Sequence, residues 1–185
     1  MTNLTSDFKT LRHSRRLMTC SFVAMLVLLL VMPGCGETID PELVGIRNRF
    51  LNVSTETKET PVSEIRASLK SGELKPGTPF KVRVRINAGE FPPFVNGSAK
   101  FFVTDATGHD GDESHDPHEC PFCRRDVKSM MALVEFHDEA GKTISMDARE
   151  LFEVKDFELL VIEGTGQFDS EDVLLMTASS MSIVR

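Results

Sequence analysis

Tryptophan and tyrosine are absent from this chain of 185 residues, leaving 13 phenylalanines as its only aromatic rings. The buried rings therefore bring no polar handle with them. Positive charge is also short: 21 lysines and arginines face 28 aspartates and glutamates, for a net charge of −7. Nucleic-acid binders need a basic face to neutralise phosphates, so nucleic acid is a poor partner for this chain. The chain has no H-E-x-x-H helix, no Gly-rich phosphate loop and no Ser/His/Asp order. The metalloprotease, nucleotide and hydrolase chemistries that need those motifs lack their residues, and we expect no enzyme. Long apolar runs are missing too. The longest, from Cys20 to Met32, falls short of the roughly 18 to 20 residues of a membrane-spanning helix.

That short run has the length of a signal-peptide core. Arg12, Arg15 and Arg16 precede it as a basic n-region, and Met32-Pro33-Gly34-Cys35 follows it. The last four residues resemble a bacterial lipobox, in which the cysteine after a small residue is acylated and becomes the mature N-terminus. Met32 and Pro33 depart from the usual residues there. Gly36 stands where an aspartate would retain such a protein at the inner membrane, which favours outer-membrane sorting. The expectation is a signal peptide over 1–34, lipidation at Cys35, and a lipid-anchored protein of the cell envelope facing the periplasm. An uncleaved N-terminal anchor is the alternative. Removing Lys9, Arg12, Arg15 and Arg16 against Asp7 makes the exported part more acidic still.

Of the four cysteines, only Cys120 and Cys123 then remain as thiols. They close the segment His109-Asp-Gly-Asp-Glu-Ser-His115-Asp-Pro-His118-Glu-Cys120-Pro-Phe-Cys123. A C-x-x-C turn brings two sulfurs to one side, and imidazoles nearby complete the nitrogen and sulfur set that zinc prefers. Cys120, Cys123, His118 and His115 are the expected ligands, with His109 in reserve and His137 able to close the shell from beyond the third strand. Copper(I) is second to zinc, because thiolate and imidazole suit both. Crowding is a difficulty, since His118 lies only two residues before Cys120. Two other readings stay open. One is a Cys120–Cys123 disulfide, natural in an oxidising compartment. The other is a thioredoxin-like redox pair, with Arg124 and Arg125 favouring a thiolate and Asp116 and Glu119 opposing it. Arg124 stands where a C-x-x-C-H haem site needs histidine.

Around this loop the pattern reads as strands. Residues 35–60 look like a tether, with Leu43, Ile46, Phe50 and Leu51 able to dock a short amphipathic segment. A helix is expected over Pro61–Gly72, capped by Thr60 and Glu64 and stopped by Gly72. Val82, Val84 and Ile86 alternate with Lys81, Arg83 and Arg85, which marks a half-buried strand. Its basic stripe is a weak candidate ligand face for an oligosaccharide or oligonucleotide. Further strands are expected over 99–104, 130–136, 157–167 and 173–184. Asp147 caps a short helix after the third, and Gly164 and Gly166 mark a bulge in the fourth.

Strands one to three, a short helix, then two more strands resembles the OB-fold, the five-stranded Greek-key barrel. More narrowly, the chain is similar to small exported OB-like lipoproteins of planctomycete-type bacteria. The resemblance rests on Arg85-Ile86-Asn87-Ala88-Gly89, Cys120-Pro-Phe-Cys123, Asp147-Ala148-Arg149-Glu150-Leu151 and Gly164-Thr165-Gly166-Gln167, and covers about 61 to 185. It implies a mainly β OB-like domain over 61–185, with short helices before strand one and between strands three and four, and a His/Cys insertion loop over 105–128. It implies no settled activity. A haem chaperone of the same fold would need the tyrosine this chain lacks. The function expected is a non-enzymatic binding or assembly module with an unidentified envelope protein as partner. The alternatives are a periplasmic thiol-disulfide oxidoreductase using Cys120 and Cys123, and an oligosaccharide- or oligonucleotide-binding domain.

Overall fold

Val82, Val84 and Ile86 turn inward from the first strand at 1%, 0% and 0% exposure, as their alternation requires. A computed structural model describes residues 41–52, 58–107 and 115–184. Cys35 and the signal segment lie outside them. The strands are β1 (Phe80–Ile86), β2 (Lys100–Asp105), β3 (Met131–Phe136), β4 (Leu159–Phe168) and β5 (Leu174–Ile183). They close a barrel in the order β1-β2-β3-β5-β4, with β4 returning to β1. Every neighbouring pair is antiparallel except β3 and β5. This is a mainly β, five-stranded OB-like barrel. The ladder of β4 and β5 shifts register between Glu163 and Gly164, so the expected glycine bulge is present.

Among the described residues three short α-helices accompany the barrel: α1 (Pro41–Phe50), α2 (Val62–Ser71) and α3 (Ala148–Phe152). The unit is larger than the expected 61–185, because α1 belongs to it. Phe50 is buried at 2% exposure, Leu43 and Ile46 pack against the core, and only Leu51 stays out. Phe50 meets the Phe136 ring edge-on at 5.1 Å, and Phe136 lies 4.4 Å from Phe152 of α3. Arg47 fastens the two helices together by donating to the Glu150 and Leu151 carbonyls, groups left open at the end of α3. A cluster of rings thus plugs one part of the barrel.

Gly72 ends α2 at φ +78°, as expected, but Thr60 does not cap its start. The Asp105 carboxylate does, accepting from the Val62 N–H across 43 residues of sequence. Asp105 also accepts from the Thr107 N–H and hydroxyl. One side chain therefore fixes both the start of α2 and the start of the loop that leaves β2.

Asp147 caps α3 as its sequence suggests, accepting from the Arg149 N–H at 2.9 Å and from its guanidinium at 2.6 Å. Those bonds hold the Asp147 carboxyl down at about 2. A carboxylate with a depressed folded-state pKa stabilises the fold above its unfolded value, near 4, and loses that contribution as pH falls towards 2. Asp147→Ala is expected to cost about 1 kcal/mol at neutral pH. In urea melts the gap between variant and wild type should narrow steadily below pH 4. A gap that persists at pH 2 would assign the loss to packing instead.

Candidate metal centre

The His/Cys loop runs from Ala106 to Met130, between two strands that pair directly with each other. Asp116 organises its described part. One carboxylate oxygen accepts from the His118 N–H at 2.9 Å and the other from the Asn87 amide at 3.0 Å, while its carbonyl accepts from the Glu119 and Cys120 N–H groups. This is an aspartate turn tied to the barrel wall, since Asn87 is 3% exposed at the end of β1. The chain then winds through Cys120-Pro-Phe-Cys123, with the Arg124 N–H donating to the Cys120 carbonyl at 2.9 Å. That helical winding puts both sulfurs on one side.

The result is a group of three donors: His115, Cys120 and Cys123 offer ligand atoms that all lie within 4.8 Å of one another. His115 Nε2 is 3.2 Å from Cys123 Sγ. A tetrahedral zinc separates its sulfur and nitrogen donors by roughly 3.5 to 3.8 Å, so small movements would close the set on an ion. Cys123 is 3% exposed and Cys120 is half-buried. Burial pushes the Cys123 thiol above its ordinary value, and the Cys120 sulfur beside it pushes the same way. A buried thiol held protonated is a weak nucleophile. A metal ion's charge can replace the proton of such a thiol. The turn after the motif, Cys123–Arg125, is also only one short 3₁₀ segment and lacks the long helix that activates thioredoxin-like cysteines.

The other expected ligands are placed differently. His118 does not join the group. Its Nε2 lies 2.9 Å from Thr104 Oγ1, whose own proton goes to the Asn87 carbonyl at 2.9 Å, so the imidazole must donate. The ring rests on Gly89 so closely that a Cβ there would come within 2.6 Å of Nδ1. His118 is thus a clamp that holds the loop against β1 and β2. Its nearness to Cys120 in sequence, the crowding noted above, is relieved by turning it the other way. His109 lies outside the described residues. His137 is engaged elsewhere, with Nε2 3.0 Å from Glu135 Oε2. Burial raises the Glu135 carboxyl, but Lys100 and His137 together more than offset this and hold it below its ordinary value.

The basic stripe on β1 is likewise taken up inside the structure. Lys81 is 5% exposed, Arg83 pairs with Glu59 at 2.7 Å, and Arg85 donates to the Phe157 carbonyl at 3.1 Å. Each of these three weak ligand-face candidates is thus buried or bonded to a neighbouring group.

An OB-like barrel carrying a His/Cys/Cys group that could hold a metal ion is the class these observations define. No family model and no curated protein matches the chain. No helix among the described residues is long and apolar enough to cross a membrane.

Proposed function

We propose that this protein is a lipid-anchored, non-enzymatic binding or assembly module of the cell envelope, whose β2–β3 loop is closed structurally by a transition metal. Zinc is preferred over copper(I), with Cys120, Cys123 and His115 as ligands. The observation that carries the reading is the convergence of those three donor atoms within 4.8 Å on one loop. His109 is the further ligand the sequence offers. The oxidoreductase alternative is disfavoured by the short 3₁₀ turn that follows the motif in place of a long helix, and the oligosaccharide- or oligonucleotide-binding alternative by the engagement of Lys81, Arg83 and Arg85.

The test is metal content, measured by mass spectrometry on the full chain purified in mild detergent without added metal or a histidine tag. Near-stoichiometric zinc is expected in the wild type and in His118→Ala. It should be absent from Cys120→Ser/Cys123→Ser and strongly reduced in His115→Ala. A metal-free wild type with both thiols oxidised would replace the metal with a stapled loop.

The envelope placement rests on the basic n-region, the short apolar core and Cys35. Acyl chains anchor through burial worth about 0.8 kcal/mol per CH₂, and more than one chain is needed for stable attachment. Cell fractionation should therefore find the wild type with membranes and a Cys35→Ser variant unprocessed, without lipid label. Wild-type protein that carries no lipid would remove the anchor from the proposal.

A further inference from the structure

Beside the three donors the structure has a small cavity of about 200 Å³. His115 and Cys123 both line it, so it adjoins the group. The lining also includes Ser63 from the first turn of α2, Asp105 and Thr107 where β2 ends, and Met130 just before β3. Among the described residues, no further histidine, cysteine or acidic side chain joins the group. Structural zinc sites surround the ion with four protein ligands, whereas sites with three keep a position for something exchangeable.

We propose that a metal ion held by His115, Cys120 and Cys123 directs one coordination position into this cavity, where it takes a small neutral donor. Water fills the position at rest, and an imidazole, an amine or a thiol replaces it. The inference rests on the metal-binding reading above, keeps its three ligands, and gives the fourth position to an exchangeable donor in place of His109.

Size and charge select the donor class. About 200 Å³ holds several waters at roughly 30 Å³ each, or one five-membered ring, and is smaller than the roughly 300 Å³ that begins to admit drug-sized molecules. Two thiolates offset a divalent ion and the imidazole is neutral, so the centre carries no net positive charge to draw in an anion. The cavity wall adds a carboxylate: Asp105 is 7% exposed and is fixed in place by the Val62 and Thr107 groups that donate to it. An anion entering here would lie beside that carboxylate with no cationic side chain on the cavity wall to balance it. A neutral nitrogen or sulfur donor meets no such repulsion. Met130 is the one thioether on the wall, and as a fourth ligand it would shift the preference towards copper(I).

Cobalt(II) reports on both layers of the argument. Added to the metal-free full chain in detergent, it should give a thiolate-to-cobalt charge-transfer band at one equivalent, absent from Cys120→Ser/Cys123→Ser. Imidazole should then shift the ligand-field bands while the charge-transfer band persists, and azide at the same concentration should leave them unchanged. Ser63→Leu, which fills the cavity from α2, should raise the half-saturating imidazole concentration roughly tenfold, with cobalt uptake unchanged. Ligand-field bands that ignore imidazole would overturn the open position and leave the metal site standing. So would a response to imidazole that appears only in His109→Ala or Met130→Leu, because a protein ligand would then fill the shell. A response to azide equal to that for imidazole would overturn the selection for neutral donors. No charge-transfer band at all would remove the metal site and this inference together.

Discussion

Gly164→Ala is expected to destabilise the barrel by about 3 kcal/mol or more, a large share of the roughly 5 to 15 kcal/mol that holds a domain folded. Gly164 lies in β4, paired with Phe80 of β1 on one side and Ala178 of β5 on the other, at the point where the β4–β5 register shifts. A Cβ built there would stand 2.3 Å from the Thr177 carbonyl oxygen and 3.0 Å from the Ala178 Cα. Both are backbone atoms of a paired strand and cannot rotate away. Relief would require β4 and β5 to separate where the barrel bends. Gly166 is the useful comparison. Its added Cβ would meet the Phe80 ring at 3.0 Å, and a ring can shift. Urea unfolding should place Gly164→Ala far below Gly166→Ala. Similar midpoints for the two would show that the bulge yields and that the tight approach is not what requires glycine.

Phe136→Ala is expected to cost about 3 to 5 kcal/mol, the range for deleting a buried phenylalanine. Phe136 is 0% exposed and has Phe50 at 5.1 Å, Phe101 at 5.8 Å and Phe152 at 4.4 Å around it. Those rings come from α1, β2 and α3, so truncation opens a cavity with three separate walls that would have to collapse together. The loss should appear both in the urea midpoint and as faster proteolytic cleavage near α1, whose Phe50 loses the nearer of its two edge-on partners. Cleavage at the wild-type rate would show that α1 is held mainly by Arg47 and the end of α3. A midpoint within about 1 kcal/mol of wild type would mean that the neighbouring rings close over the gap.

Local pattern made much of the barrel legible. Val82, Val84 and Ile86 announce β1 by alternation, Gly72 and Asp147 announce helix ends by their own conformational and hydrogen-bonding chemistry, and Gly164 announces the bulge. Pairings across the sequence left no such mark. Thr60 is a reasonable cap by position, yet Asp105 supplies the cap from the end of β2. Alternation showed Arg83 facing away from the core but could not show Glu59 arriving to meet it. In the loop, the residue types pointed to a metal centre, and Cys120, Cys123 and His115 do converge. His118 offers the same imidazole and a similar spacing, so sequence alone could not separate ligand from clamp. Only Gly89 carried a hint. A glycine just past the end of a strand can mark a backbone that another side chain must approach closely, and here that side chain is His118.

The connections of the barrel differ greatly in length, and this sets an order of assembly. β4 and β5 are joined by a few residues around Asp169 and Val173 and form the longest ladder, from Leu160–Ile183 to Phe168–Leu174. A short hairpin closes at little entropic cost, whereas β1 must find β4 across about half of the domain. β2 and β3 pair directly even though the whole His/Cys loop is strung between them, so their ladder requires nothing of the loop beyond reach. The barrel can therefore finish folding before any ion is captured. Under the proposed export and metal binding, the chain would emerge, fold and only afterwards be loaded, with the availability of metal deciding when the loop closes.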